Sequence, residues 1–366
     1  MNYNIHDLVR ISTTEDIPNN VQSDIDFQIK YFQTDHEPKC KYYIQVKPFS
    51  QFSGGTLGNA SDIFHLLEGQ TGLTLIDPIK KFAVTKLSDG FEIYVSKKSF
   101  LVNFYIQLLF LKEGISMVHA AAVGDHQGNV ILFPGPGGVG KTAIINYFIR
   151  EKGYQTLGDD IIGLGEDGTC YAFPREFVLK KYHQNVYPEV FRKHGYKFGR
   201  GIDKKTFYYL ELIFYRLIFK NLPFQGIISS IVYRLGLVNL FKKKKDFFTV
   251  PISEVFGDNS VLERGKLSQL IFLERFKETE SQLMQVSHDR MTQIMFAIIN
   301  HEWVDFMREI FSLGALEVID LHEYMKRTHQ NIQNALRHIE EYHFLKIPEG
   351  ASPEELVKIY NKSFKD

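Results

Sequence analysis

The stretch from Gly135 to Thr142 reads Gly-Pro-Gly-Gly-Val-Gly-Lys-Thr and fits the pattern of a glycine, four residues and Gly-Lys-Thr at every position. The apolar run Val130–Phe133 precedes it, and apolar residues at helical spacing follow it until Gly153. A strand, a glycine loop and a helix in this order surround a polyphosphate with backbone N–H groups and a helix N-terminus. The sequence therefore predicts a phosphate-binding loop. A glycine-rich turn that happens to precede a lysine is the alternative.

The residue types in this loop suit a nucleoside triphosphate. Its glycines let the backbone approach phosphate oxygens closely, since no Cβ stands in the way. Lys141 is expected to neutralise the outer phosphates, and Thr142 to offer its hydroxyl to Mg²⁺. We therefore predict ATP and Mg²⁺ as ligands. The predicted nucleotide-binding residues are Gly135, Pro136, Gly137, Gly138, Val139, Gly140, Lys141, Thr142 and Ala143.

Two adjacent aspartates, Asp159 and Asp160, interrupt the apolar segment Gln155–Leu164. Neighbouring carboxylates among isoleucine and leucine are costly unless a cation compensates them, and Mg²⁺ on a triphosphate is such a cation. Their distance from Lys141 suits a strand–helix–strand unit that brings the next strand alongside. A pair of turn aspartates before a strand is the alternative.

His119 lies in a second strand candidate, Ile115–Gly124, which the turn Asp125–Asn129 joins to the strand before the loop. These two strands are predicted to form a hairpin. A lone histidine in an apolar strand is commonly a hydrogen-bonded core residue. Because His119 is one hairpin away from the loop, a functional role is an equal alternative.

Taken together, His119-Ala-Ala-Ala, the loop ending in Lys141-Thr142, Gly158-Asp159-Asp160 and a later Phe-Pro-Arg ending at Arg175 resemble the HPr kinase/phosphorylase-like serine kinases. That family belongs with the phosphoenolpyruvate-carboxykinase-like nucleotide-binding folds, and the resemblance covers about residues 95–185. It implies an α/β (α+β) fold with a P-loop kinase core. It also implies ATP- and Mg²⁺-dependent transfer of a phosphoryl group to a hydroxyl, most readily a serine of a protein or peptide.

The resemblance also implies roles for single residues. Asp159 would be the catalytic base, with His119 and Lys141 near the reacting phosphate, while Thr142 and Asp160 would hold the metal. The Glu-Ile-Arg-Gly signature of the HPr-directed enzymes is absent after Arg175. This argues against HPr as substrate and against the phosphorylase reaction. Relatives without the signature include kinases of lasso-peptide biosynthesis. A nucleotide-binding module that hydrolyses ATP slowly or not at all, and a small-metabolite kinase, are the alternatives.

The remaining sequence predicts three regions: a β-rich N-terminal domain (1–98), the kinase core (99–275) and a helical C-terminal region (276–366). In the first, Phe27–Phe32, Lys41–Pro48 and Phe91–Ser96 are strand candidates. In the core, residues 99–112 form a candidate buried helix. In the last, Ser352-Pro-Glu-Glu predicts a helix start with a capping box.

An insert at 203–246 contains two apolar runs and ends in four lysines. It fits a hairpin on an anionic membrane surface, or a helical subdomain that packs over the site or against another copy of the chain in a homo-oligomer. Glu211, Arg216 and Arg234 interrupt both runs, which favours the subdomain and argues against membrane association.

The composition limits the function classes further. Lys plus Arg and Asp plus Glu both number 43, so net charge gives no reason to expect a nucleic-acid partner. The two cysteines, Cys40 and Cys170, have no ligand-like spacing, and the N-terminus has no basic segment followed by an apolar run. These features predict a cytoplasmic protein.

Overall fold

The computed structural model describes residues 1–53, 65–69, 72–77, 80–97, 102–180, 183–184, 187–195 and 247–364. The fold is mixed α/β. The chain divides into two compact units, one made of Met1–Glu176 with Phe256–Asp366 and the other of Phe177–Val255. The insert at 203–246, and a turn that the sequence predicts at Gly54 and Gly55, lie outside the described residues.

An eight-stranded sheet occupies the N-terminal part of the first unit. Its strands are β1 (Asn2–Ile5), β2 (Val9–Thr13), β3 (Gln33–Thr34), β4 (Tyr42–Pro48), β5 (His65–Gly69), β6 (Gly72–Asp77), β7 (Phe82–Leu87) and β8 (Gly90–Val95). Their order is β3-β1-β2-β4-β8-β7-β6-β5. Buried residues alternate with half-buried ones along β4, as expected for a strand with one face on the core. The β-rich stretch of the sequence corresponds to this sheet.

The helices are α1 (Asn19–Ile29), α2 (Val102–Phe110), α3 (Lys141–Lys152), α4 (Pro188–Lys193), α5 (Ile252–Phe256), α6 (His288–Glu302), α7 (Val304–Ala315), α8 (Leu321–Leu336) and α9 (Pro353–Ser363). Helix α1 corrects the sequence-based prediction, because Phe27–Phe32 is not a strand but the end of this helix and a following turn. Val21, Ile25 and Ile29 recur every fourth residue and bury one face of the helix. Helix α2 is buried as predicted, and α9 begins with the predicted capping box.

A second sheet of nine strands carries the loop. Its strands are β9 (Ile115–Val118), β10 (Ala120–Gly124), β11 (Asn129–Pro134), β12 (Gln155–Gly158), β13 (Ile162–Gly165), β14 (Thr169–Tyr171), β17 (Arg264–Phe276), β18 (Gln282–Gln285) and β19 (Tyr342–Pro348). The predicted hairpin is present, since β10 and β11 pair antiparallel. Strand β11 also pairs in parallel with β17, which in turn pairs in parallel with β19. Strand β12 lies antiparallel at the far side of β10.

Apolar side chains cover both faces of this sheet. Val130 and Leu132 of β11 pack in the cluster that includes residues of α6 and α8. Ile131 and Phe133 point the other way and pack in the cluster that includes residues of α3 and α9. A strand buried on both faces reads as a continuous apolar run, which explains why β11 is clear in the sequence.

The region 276–366 is not only helical, as the sequence suggested, because it contributes β18 and β19. Strand β19 adds to the central sheet beside β17, and Leu345 and Ile347 on it are fully buried. This stretch of the chain therefore completes the fold around the loop.

The second unit contains a two-stranded sheet of β15 (Phe177–Lys180) and β16 (Phe247–Val250) in antiparallel pairing. Glu254 accepts hydrogen bonds there from Lys193 and His194. No helix among the residues that the structure describes combines the length and apolar character needed to cross a bilayer.

Candidate functional site

The glycine loop runs from the end of β11 to the start of α3, so strand, loop and helix follow one another as the sequence predicts. Gly140 precedes the helix with φ +116°, and a Cβ there would lie 2.3 Å from Leu356 Cδ2. No side chain caps the N-terminus of α3 at Gly140. The partial positive charge of that helix end is therefore presented beside the loop.

Lys141 is folded back onto its own loop. Its Nζ donates hydrogen bonds to Gly135 O at 2.7 Å and to Pro136 O at 3.0 Å, and a third to His119 Nε2 at 3.1 Å. The side chain is only 7% exposed. Burial lowers the pKa of Lys141, while Asp160, Asp159 and Glu302 oppose that shift. The ammonium group is thus held in the loop by backbone carbonyl oxygens and one imidazole.

His119 lies at the break between β9 and β10, where the chain passes from pairing with β13 to pairing with β11. Burial, and secondarily the Lys141 charge, lower its pKa to about 4. His119 is therefore neutral at pH 7, and its Nε2 accepts from Lys141. Its Nδ1 is 3.2 Å from Asp160 Oδ1, and this buried nitrogen has no hydrogen-bond partner among the described residues.

The two aspartates make different contacts. Thr142 Oγ1 donates a hydrogen bond of 3.0 Å to Asp159 Oδ2. Burial and then the neighbouring Asp160 charge raise the pKa of Asp159. The turn after β12 that carries both aspartates requires a glycine at position 158. A Cβ on Gly158 would lie 2.8 Å from Ile161 O, and the residue has φ +156°. Asp159, rather than Asp160, is therefore the carboxylate that lies against the loop threonine.

Asp160 is directed toward the guanidinium of Arg175, which is not among the predicted site residues. Arg175 Nη1 lies 2.8 Å from Asp160 Oδ2, and its guanidinium lies over the Phe27 ring, 5.1 Å from the centroid. Arg175 Nε is buried without a hydrogen-bond partner in the described parts of the chain. The Phe-Pro-Arg segment thus contributes a guanidinium next to the aspartate pair.

Glu302 and Trp303, at the joint between α6 and α7, are also part of the site. Glu302 Oε1 accepts a hydrogen bond from the backbone N–H of Gly137 at 3.2 Å, and Glu302 Oε2 is 3.9 Å from His119 Nε2. The Trp303 ring lies edge-on to the His119 ring with centroids 6.1 Å apart. Sequence reasoning missed both, because they follow the loop by about 160 residues and no local pattern marks them.

The structure therefore brings His119, Lys141, Thr142, Asp159 and Asp160 together, all as predicted site candidates, and adds Arg175, Glu302 and Trp303. Within the described ranges, no group of three or more His, Cys, Asp or Glu residues is arranged to hold a metal ion. Mg²⁺ is commonly held by one or two carboxylates together with substrate phosphates, and Thr142 with Asp159 would fit that mode.

No protein-family model matches the sequence, and no match is found among curated proteins.

Proposed function

We propose that this chain is an ATP- and Mg²⁺-dependent kinase that transfers the terminal phosphoryl group to a hydroxyl, with a serine of a protein or peptide as the favoured acceptor. The observation that carries the proposal is the hydrogen bond between Thr142 and Asp159 directly beside the glycine loop. It joins the loop hydroxyl to a carboxylate from another strand, the pair that holds Mg²⁺ in P-loop NTPases.

The loop has the chemistry of an oxyanion site. The Glu302 carboxylate already accepts a hydrogen bond from the Gly137 amide, which supports the view that this amide is directed at anions. Lys141 would exchange its bonds to the Gly135 and Pro136 carbonyl oxygens for the outer phosphates of the nucleotide. Neutral His119 would keep the ammonium group in place without adding a competing charge.

Magnesium would be held by Thr142 and Asp159 together with nucleotide phosphates. When bound, it would neutralise the charge that develops on the phosphate oxygens. The raised pKa of Asp159 agrees with such a role, because the burial and the Asp160 charge that raise it are the conditions a bound cation would relieve.

We assign the acceptor to Asp160, because Asp159 and not Asp160 lies against the loop threonine. Asp160 would take the proton from the acceptor hydroxyl while that oxygen forms a bond to the terminal phosphorus. The bond from phosphorus to the bridging oxygen breaks, and ADP leaves with that electron pair. Arg175 orients Asp160 through its 2.8 Å contact. This assignment exchanges the two aspartate roles that the family resemblance implies. It rests on the positions of the two carboxylates, because a general base is chosen first by its reach to the proton and only then by its pKa.

The proposal is tested by incubating the protein with γ-labelled ATP, Mg²⁺ and extracts or peptides of its own cell, followed by mass spectrometry of the products. A phosphorylated hydroxyl that depends on Asp160 is expected. Intact nucleotide binding without any phosphorylated acceptor would contradict transfer.

Two contacts favour a second function, a nucleotide-binding module without transfer. In the structure Arg175 pairs with Asp160, and the Gly137 N–H donates its hydrogen bond to Glu302. If the Glu302 contact persists when nucleotide is present, the site would bind nucleotide weakly. If the Arg175 contact persists, Asp160 would not act as a base toward an acceptor. Slow hydrolysis of ATP, unchanged by added peptides, would support this alternative.

A further inference from the structure

A cavity of about 550 Å³ adjoins the site inside the first unit. Arg175, Glu302 and Trp303 form part of its wall, and so does Ile161, the residue after Asp160. The volume lies in the range of ~300–1,000 Å³ that is usual for small-molecule sites. The cavity therefore shares two residues with the site: Arg175, which contacts Asp160, and Glu302, which contacts the loop.

Part of the wall is apolar and aromatic. Phe27, Trp303 and Phe306 line it, and Arg175 covers the face of the Phe27 ring. Such a surface favours a ligand with an apolar body.

The charged groups of the wall are mainly negative. Among the wall residues that the structure describes, Asp24, Glu302 and Asp305 contribute carboxylates and Arg175 contributes a guanidinium. That guanidinium is already in contact with Asp160. An anionic ligand would therefore face an excess of like charge, whereas a protonated nitrogen would face opposite charge.

Asn103 supplies an independent indication of a ligand. It lines the cavity and is 7% exposed, and its side-chain oxygen Oδ1 is buried without a hydrogen-bond partner in the described part of the chain. A buried amide oxygen without a partner is costly, and an N–H or O–H donor would satisfy it.

We propose that this cavity receives the phosphoryl acceptor, and that it selects acceptors whose hydroxyl is joined to an apolar side and a protonated nitrogen. The acceptor hydroxyl would lie toward Asp160, the apolar side against Phe27 and Trp303, and the cationic nitrogen toward Asp305. The assignment of the bound ligand as a phosphoryl acceptor rests on the proposed kinase function. The binding of a cationic ligand in the cavity does not.

Trp303 makes the test direct, because it is the single tryptophan of the chain and lines the cavity. Its fluorescence is titrated, without nucleotide and with saturating MgADP, using acetyl-Phe-Ser-Lys-amide and acetyl-Phe-Ser-Glu-amide. A free amino alcohol, phenylalaninol, forms a separate arm that distinguishes a peptide from a small molecule. Phosphorylation of each probe by MgATP is measured in parallel.

The informative variant is Asp305→Lys, and Asp289→Lys is its matched control. Both aspartates are exposed and lie in the first turn of a helix, but only Asp305 lines the cavity. Wild type and Asp289→Lys are expected to bind the lysine peptide about tenfold more tightly than the glutamate peptide, and Asp305→Lys is expected to lose or reverse that preference. Phosphorylation is expected to follow the same order.

The outcomes separate the cavity from the kinase. Binding of MgADP without any effect of the peptides or phenylalaninol on Trp303 would overturn the cavity proposal and leave the proposed function standing. Charge-selective binding without phosphorylation of the bound probe would overturn the acceptor assignment. An equal loss of preference in Asp289→Lys and Asp305→Lys would show that the charge acts from outside the cavity, and would also overturn the proposal.

Discussion

The Glu302 carboxylate accepts a hydrogen bond from the backbone N–H of Gly137, across 165 positions of sequence. This places a negative side chain at an amide of the glycine loop, where a nucleotide phosphate would bind. Nucleotide and Glu302 therefore compete for the same donor, and a carboxylate next to a phosphate is repulsive unless a cation lies between them.

The first prediction concerns this competition. Glu302→Gln should bind ADP about fivefold more tightly in the absence of Mg²⁺, since it removes a like charge worth roughly 1 kcal/mol at such a distance in water. Fluorescent-ADP titration measures it, with Glu340→Gln, at an exposed position, as control. Weaker ADP binding by Glu302→Gln would show that Glu302 supports the nucleotide rather than opposing it.

The second prediction uses the histidine in the site. The folded-state pKa of His119 is about 4 and its ordinary value is 6.5, so the unfolded chain binds the proton first as pH falls. Above pH 6.5, His119 therefore does not change the free energy of unfolding. As the pH falls from 6.5 to 4, its titration lowers that free energy progressively. The loss reaches on the order of 3 kcal/mol at pH 4.

His119→Gln isolates this effect, because glutamine keeps an acceptor for Lys141 and does not titrate. Urea unfolding of both proteins at pH 7, 5.5 and 4.5 should give a shallower decline for the variant. Other groups with shifted pKa values, such as His6 and His183, are common to both proteins. Parallel declines would mean that His119 is already charged near its ordinary pKa.

The third prediction concerns the turn that presents the aspartates. Gly158→Ala should lower the free energy of unfolding by about 1–3 kcal/mol, because the new Cβ would approach the carbonyl oxygens of Ile161 and Phe173 and the backbone conformation disfavours alanine. Gly350→Ala is the matched control, since a Cβ there meets nothing within 4 Å. Equal stability of the two variants by thermal unfolding would refute the tight turn.

The fourth prediction separates Asp159 from Asp160. Asp159→Asn should raise the Mg²⁺ concentration needed for nucleotide binding, because it removes the carboxylate beside Thr142. Asp160→Asn should retain MgATP affinity within about twofold and lower phosphoryl transfer by roughly 10²–10⁴. Both variants are measured under one set of conditions. The opposite pattern would return the roles to those that the family resemblance implies.

Local sequence patterns predicted the parts of this site that are local in the chain. Val130–Phe133, the loop and the helix to Gly153 form consecutive elements, so periodicity and glycine positions were enough. The aspartate pair could also be found, because two carboxylates among apolar residues require compensation.

The remaining parts depend on tertiary structure. Arg175 and Glu302 reach the site only through the packing of distant elements, and neither lies in a pattern that marks a ligand. Strand β19 was not recognised within a region predicted to be mainly helical, although Leu345 and Ile347 already alternate along it. At Phe27 the four-residue spacing of Val21, Ile25 and Ile29 was the signal for a helix, and aromatic residues were misread as a strand.

The central claim is that the glycine loop with Lys141 binds MgATP, and isothermal titration calorimetry of MgATP tests it most directly. Wild type should bind one MgATP per chain, and Lys141→Ala should bind it roughly 10–100-fold more weakly, as expected for loss of a charge-assisted bond to phosphate. Lys152→Ala, at the exposed end of the same helix, should bind like wild type. Absence of MgATP binding by the wild-type protein, or equal binding by Lys141→Ala, would contradict the account.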